Sequence, residues 1–477
     1  MSSVIPDWNE QYAILPATWH EGNGLTLVPC RQRRRSTSQD PPMICHLRFL
    51  RRLAAATLAA AVASGAALAS PLQDRAWLTS WMASQQPVWQ PDALPLPAGV
   101  PSVLTDQTVR QVVRLSVGGQ RLRVVLSNPY GRQALVIGAA QLAPHAGGGR
   151  IDLAGSRAVT FGGSATVTIP AGQSVASDAI ALDTPALGEL ALSLYLPQRT
   201  AIESFHWDGR QTAWLAAGNA TAQSMLAAPQ VFSARVLLSE VQVEAPAGAG
   251  AVVAIGDSIT EGNGSTPDTN RRWPDVLAQQ LAADGVAVLN AGISGGRLLR
   301  DGMGVSALAR LDRDVLSQAH VRTVIAAIGI NDIAWPGSTF APADAVPQPA
   351  ELIEGYRRLI AAAHARGVRV IGATITPFAG ALRDTPIRGY DSPGKEAVRL
   401  AVNDWIRHGG AFDAVVDFDA AVRDPARPQA LLPAFDSGDH LHPGDAGYRA
   451  MAAQFDLNLP ALAGQSRSGA PGGNNGR

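Results

Sequence analysis

The chain has 477 residues, 46% of them hydrophobic and 16% charged, an ordinary globular composition with length for two or three domains. Lys+Arg and Asp+Glu each total 39, so the net charge is zero and nothing in the balance suggests a nucleic-acid partner.

Residues 1–42 show no pattern beyond the basic run Arg31-Gln32-Arg33-Arg34-Arg35. From Met43 the chain reads MICHLRFLRRLAAATLAAAVASGAALAS. Arg48, Arg51 and Arg52 precede an alanine-rich apolar segment that ends in Ala67-Leu68-Ala69, the plan of a signal peptide spanning 43–69. A membrane-anchoring helix is the competing reading, but the segment is short and a small-residue cleavage site follows it. The expectation is that translation begins near Met43 and that 1–42 is a mis-assigned extension. The mature protein is then exported, to the periplasm or the medium, without a stable membrane span. Arg51-Arg52 also permits a twin-arginine signal. Both cysteines, Cys30 and Cys45, would leave with the signal, which excludes disulfides, thiolate catalysis and Cys-ligated zinc.

Between about 70 and 245 the chain alternates apolar and polar residues in short runs broken by Gly, Pro and Asn, such as Arg121–Ser127, Ala165–Pro170 and Glu189–Leu196. Period-two alternation with frequent turn signals predicts an antiparallel β-sandwich, jelly-roll-like, with no long helix. Trp89, Trp207 and Trp214 leave open a carbohydrate-binding role, although a structural cap is the preferred reading because aromatic content is only 5%.

After the small-residue stretch 243–250 the rhythm changes. Apolar runs at 251–256, 286–291, 322–328, 368–375 and 414–418 read as buried strands, separated by helical patterns such as 349–366. That alternation predicts an α/β domain over 250–460 with a parallel sheet covered on both faces. The tail 464–477 is low in apolar residues and is expected to be disordered. Lys395 is the only lysine, which is read as codon bias.

Chemistry in open α/β sheets gathers at the C-terminal ends of the strands. There stand Gly256-Asp257-Ser258, Asn290-Ala291-Gly292, Gly329-Ile330-Asn331-Asp332 and, further on, Asp436-Ser437-Gly438-Asp439-His440-Leu441-His442-Pro443. A serine hydroxyl needs a base to take its proton, and histidine is suited to that near neutral pH. His442 fills this role, with Asp439 three residues earlier able to orient its ring. His440 and Asp436 are the lower-ranked alternatives. Asp257 and Asp332 are read as bonding their local turns.

These four segments resemble the signature blocks of the SGNH (GDSL) hydrolase superfamily, in family order. The resemblance implies a flavodoxin-like three-layer hydrolase domain and an acyl-enzyme on Ser258. It also implies an oxyanion hole made from the backbone N–H groups of Ser258 and Gly292 and the side-chain amide of Asn331. Trp77–Trp81, the Arg121–Asn128 strand and the Asp417–Tyr448 segment further resemble secreted bacterial acylhydrolases and arylesterases with an N-terminal β-domain, some of them xylan-associated. A short-chain, acetyl-type or aryl ester is therefore the expected substrate, a small ester or an acylated polysaccharide. A lysophospholipase or an acyltransferase with the same acyl-enzyme remains open, and a non-catalytic sugar-binding protein ranks last. Trp335, Phe378 and Tyr390, on loops beside the blocks, are the candidate substrate-binding aromatics; the alternative is that they close those loops over the core. No His/Asp/Glu cluster stands at metal-ligand spacing, and neither metal nor cofactor is expected. The sequence leaves the oligomeric state unknown.

Overall fold

The computed structural model describes residues 76–90 and 94–457. The expected extension, signal peptide and disordered tail lie outside the described residues.

Two antiparallel sheets build the N-terminal half. One runs Trp77–Met82, Leu238–Glu244, Gly119–Ser127, Ser174–Ala176, with Ile180–Thr184 also paired to Gly119–Ser127. The other runs Gln230–Phe232, Ala213–Ala217, Gln107–Arg114, Glu189–Leu196, Ala139–Pro144, Arg157–Ala158. A small third sheet orders Arg235–Val236, Ser204–His206 and Gln86–Pro87. No helix occurs among the described residues before 250. Trp89, Trp207 and Trp214, the candidate sugar-binding aromatics, are half-buried in their own fold. Trp89 packs on Phe205 and Trp207, its indole N–H and that of Trp207 donate to Leu96 and Pro97 carbonyls, and Trp214 lies against Gly149.

The C-terminal half holds a parallel sheet in the order Val286–Gly292, Gly250–Gly256, Val321–Ala327, Arg369–Ala373, Ala414–Val416. Numbered along the chain this is 2-1-3-4-5, the flavodoxin-like order, whose switch point lies beside the first strand. Strand Gly250–Gly256 is buried at every position, as a central parallel strand must be. The helix Pro349–His364 starts where Pro349 fits the first turn and Glu351 returns a bond to the Gln348 N–H. It buries Leu352, Tyr356, Leu359, Ile360 and Ala363 along one stripe and packs on the helix Pro393–His408.

The passage from 245 to 249 joins strand Leu238–Glu244 directly to strand Gly250–Gly256. One continuous hydrophobic core runs through both halves, and strand Trp77–Met82 packs against strand Val286–Gly292. The described residues from Ala76 onward belong to a single compact unit.

Candidate active site

The first strand ends at Gly256, where a Cβ would lie 2.1 Å from Thr260 Oγ1 and 2.6 Å from the Ala327 carbonyl oxygen. Only glycine fits this strand-to-helix turn. Asp257 then caps the short helix Ser258–Glu261 by accepting the Ile259 N–H at 3.0 Å. Ser258 therefore stands at the head of that helix, 8% exposed. Arg310 braces the region from behind: its guanidinium donates to the carbonyls of Ala291 at 2.6 Å and Gly256 at 2.9 Å, clamping the ends of two adjacent strands.

The base arrives from the far end of the chain. His442 Nε2 lies 2.8 Å from Ser258 Oγ, and His442 Nδ1 lies 2.6 Å from Asp439 Oδ2. The other Asp439 oxygen accepts the N–H groups of Leu441 at 2.9 Å and His442 at 2.8 Å. Burial alone would raise this carboxyl, but His442 and the two N–H donors outweigh it and hold it down at about 2. An anionic Asp439 accepts the Nδ1 proton, which leaves the Nε2 lone pair facing the serine hydroxyl.

His440 and Asp436 form a second pair beside the first, with Nδ1 2.6 Å from Asp436 Oδ2. His440 sits in left-handed backbone at φ 63°. Its Nε2 lies 3.9 Å from Asp384 Oδ2, and Asp436 orients His440 instead of His442.

The structure corrects the expected oxyanion set at one position. The Gly292 N–H donates to Asn290 Oδ1 at 2.9 Å, and a Cβ at Gly292 would lie 2.3 Å from the Glu261 backbone nitrogen. This glycine lets the strand approach the nucleophile helix; its N–H is already spent. The free donor is three residues on. In the turn Ile293–Gly296, closed by the Gly296 N–H to the Ile293 carbonyl at 2.9 Å, Gly295 takes φ 64°. Among the described residues no partner is found for the N–H of Gly295 or of Ser258. Asn331 binds this same turn: its Nδ2 donates one hydrogen to the Gly296 carbonyl at 3.0 Å and keeps a second.

The expected substrate aromatics are also corrected. Trp335, Phe378 and Tyr390 are only 3%, 2% and 4% exposed. Trp335 stacks on Phe340 with centroids 4.7 Å apart, and Phe378 meets Tyr390 edge-on. They close loops over the core and offer no open face for a sugar ring. Tyr390 has a different role, since its hydroxyl donates to Asn331 Oδ1 at 2.6 Å. Asp332 is corrected as well. It holds no local turn but accepts the N–H groups of Leu298 and Leu299 at 2.6 and 2.9 Å, and burial raises its carboxyl to about 6. Asp257 does bond its own turn, and burial raises it to about 7.

Sequence reasoning passed over Lys395. Its ammonium donates to the carbonyls of Ala334 at 2.7 Å, Gly389 at 2.5 Å and Tyr390 at 3.4 Å, tying the helix that carries Asn331 to the loop that carries Tyr390. The signal was its singleness in a chain that otherwise uses arginine.

A serine, an oriented imidazole and N–H donors at one sheet edge can form and stabilise a tetrahedral adduct on an acyl carbon. Residues 254–450 match the family model described as the GDSL-like lipase/acylhydrolase family. This region is a GDSL-like lipase/acylhydrolase domain. The chain is thus a carboxylic ester hydrolase whose GDSL-like domain spans 254–450. No curated protein matches the chain. Among solved structures it is similar to a GDSL-like lipase from Bacteroides thetaiotaomicron, at 21% identity and TM-score 0.32, over 43% of this chain and 84% of that one. It is similar to the M. smegmatis aryl esterase at 18% identity and TM-score 0.34, over 43% and 95%. A family two carbohydrate esterase from Cellvibrio japonicus aligns over 82% of this chain and 96% of that one, at 14% identity and TM-score 0.34. None of these likenesses bears on the choice of ester.

Proposed function

We propose that this GDSL hydrolase removes short acyl groups, acetyl above all, from carbohydrate or aryl esters through an acyl-enzyme on Ser258. The observation that carries the reading is the unbroken chain Asp439–His442–Ser258, at 2.6 and 2.8 Å. His442 takes the hydroxyl proton as Ser258 Oγ attacks the acyl carbon, then returns it to the departing alcohol. Water, deprotonated by the same ring, cleaves the acyl-enzyme. The N–H groups of Ser258 and Gly295 and the second Nδ2 hydrogen of Asn331 receive the oxyanion. A Cβ at Gly295 would lie 2.6 Å from Trp335 Cζ2 and 2.7 Å from Met303 Cγ, so this donor turn requires glycine. The signal-like segment 43–69 adds that the enzyme works outside the cytoplasm, where acylated polysaccharide is met.

Hydrolysis of p-nitrophenyl esters from acetate to palmitate, beside Ser258→Ala, tests this. Acetate and butyrate should be cleaved fastest and the variant should be inert. Rates rising with chain length would replace the reading by a lipid esterase, and activity in Ser258→Ala would displace the nucleophile. Acetate release from acetylated xylan and pectin tests the carbohydrate part.

A further inference from the structure

Glu261 ends the helix that begins with Ser258 and is fully buried. One oxygen, Oε2, accepts both the N–H of Ser294, at 2.7 Å, and the Ser294 hydroxyl. Ser294 immediately precedes Gly295, and its hydroxyl also accepts Asn263 Nδ2 at 2.6 Å. The other oxygen, Oε1, faces the β-half: His206 Nε2 lies 3.0 Å away and the Asp208 N–H 3.4 Å away. His206 is itself buried, on the strand Ser204–His206, and its Nδ1 bonds the Ser84 carbonyl at 3.1 Å.

The tautomer follows from these contacts. A carbonyl only accepts, so Nδ1 carries a hydrogen and, in the neutral ring, Nε2 is a lone pair. One proton must then lie between Nε2 and Glu261 Oε1. Burial pushes Glu261 up to about 8 and His206 down to about 4, so at neutral pH the carboxylic acid is the donor. A second tether runs in parallel. Gln86, which pairs with Phe205 in the same small sheet, donates Nε2 to the Met303 carbonyl at 2.9 Å, and Met303 lies against Gly295.

We propose that His206 is a positioning residue for ester hydrolysis, holding the Ser294–Gly295 oxyanion turn in register with the Ser258 helix through Glu261. The small sheet of the β-half is thereby the back wall of the active site. The β-half thereby completes the hydrolase. This rests on the reading of Ser258 as nucleophile and Gly295 as oxyanion donor.

The test compares His206→Asn with His206→Gln in the full chain. The asparagine amide can replace Nδ1 on the Ser84 carbonyl but falls short of Glu261; the longer glutamine reaches Glu261 in place of Nε2. For p-nitrophenyl acetate, His206→Asn should lose about 10- to 100-fold in kcat with KM little changed, as expected when only transition-state stabilisation is removed. Inhibition by phenylboronic acid, which forms a tetrahedral adduct on the serine, should weaken in parallel. His206→Gln should recover most of the rate. A folded His206→Asn at the wild-type kcat, or a folded His206→Gln as slow as His206→Asn, overturns the proposal. If His206→Asn does not fold, Glu261→Met against Glu261→Gln asks the same question from the other side. The methionine cuts both ends and should be slow, and equal rates would overturn the idea. A wild-type enzyme inert on every ester would instead remove the underlying functional reading. A wild type silenced by Ser258→Ala but indifferent to His206→Asn removes only this inference.

Discussion

The Tyr390 hydroxyl donates to Oδ1 of Asn331 at 2.6 Å and so decides which way the asparagine amide faces. With Oδ1 occupied and one Nδ2 hydrogen on the Gly296 carbonyl, the remaining hydrogen has one direction left. Tyr390→Phe removes the hydroxyl and keeps the buried ring against Phe378 and Phe340. The amide is then free to turn. Steady-state kinetics should show kcat down by about 10-fold or more, short of the roughly 100- to 1,000-fold typical for deleting an oxyanion donor outright, with KM little affected. An unchanged kcat would mean that packing alone orients Asn331.

The two aspartate–histidine pairs separate cleanly by mutation. Asp439→Asn cannot hold His442 with its Nδ1 proton, and the rate should fall by about 10⁴-fold, the scale seen when a triad imidazole is left in the wrong tautomer. Asp436→Asn leaves an oxygen for the Gly438 and His440 N–H groups and should hydrolyse esters near the wild-type rate. A large loss in Asp436→Asn would give His440 a role in the chemistry.

Lys395 places a compact ammonium among three carbonyl oxygens, a geometry that a planar guanidinium does not match. Lys395→Arg should therefore fail to rescue what Lys395→Met loses. Both should melt at lower temperature and turn over more slowly, because the loop bearing Tyr390 and the helix bearing Asn331 come apart. An arginine variant with wild-type kcat and Tm would reduce Lys395 to a generic positive charge.

Glu261 links stability to pH. Its carboxyl, near 4.5 in an unfolded chain, is raised to about 8 in the fold, chiefly by burial, with Asp208 adding to the shift. Between those values the folded state holds a proton that the unfolded state has lost. The stability it contributes is therefore complete below about pH 4.5 and is lost as pH rises through 8. Thermal melts should fall from pH 6.5 to 8.5, above the range in which His206, pushed down to about 4 by burial, adds stability as pH rises, and Glu261→Gln, with no proton to lose, should show a shallower decline. The slope that remains belongs in part to Asp257 and Asp332, raised to about 7 and about 6. A glutamine variant with the full wild-type slope would place the titration elsewhere.

Much of this site was legible because burial writes itself into sequence. A central parallel strand is apolar throughout, so its run stops where the strand does, at Gly256 and near Gly292 and Ala327. The short spacing from Asp439 to His442 likewise fixes a local contact. The oxyanion glycine was less legible. Gly292, Gly295 and Gly296 stand within five residues, and which N–H is free depends on where the Asn290 side chain turns. The fate of Trp335, Phe378 and Tyr390 was hidden for a similar reason: an aromatic on a loop is core or platform according to how the loop packs. Glu261 and His206 carried no signal, since their meeting exists only when both halves of the chain have folded together.

The solitary lysine makes the enzyme a reporter of its own opening. Its amine is buried and committed to three carbonyls, so an amine-directed reagent should leave that residue untouched in the native protein. The same reagent should mark it as soon as the Tyr390 loop lifts away. Peptide mapping would then read, at one side chain and without any engineered probe, how often the catalytic edge of the sheet comes undone.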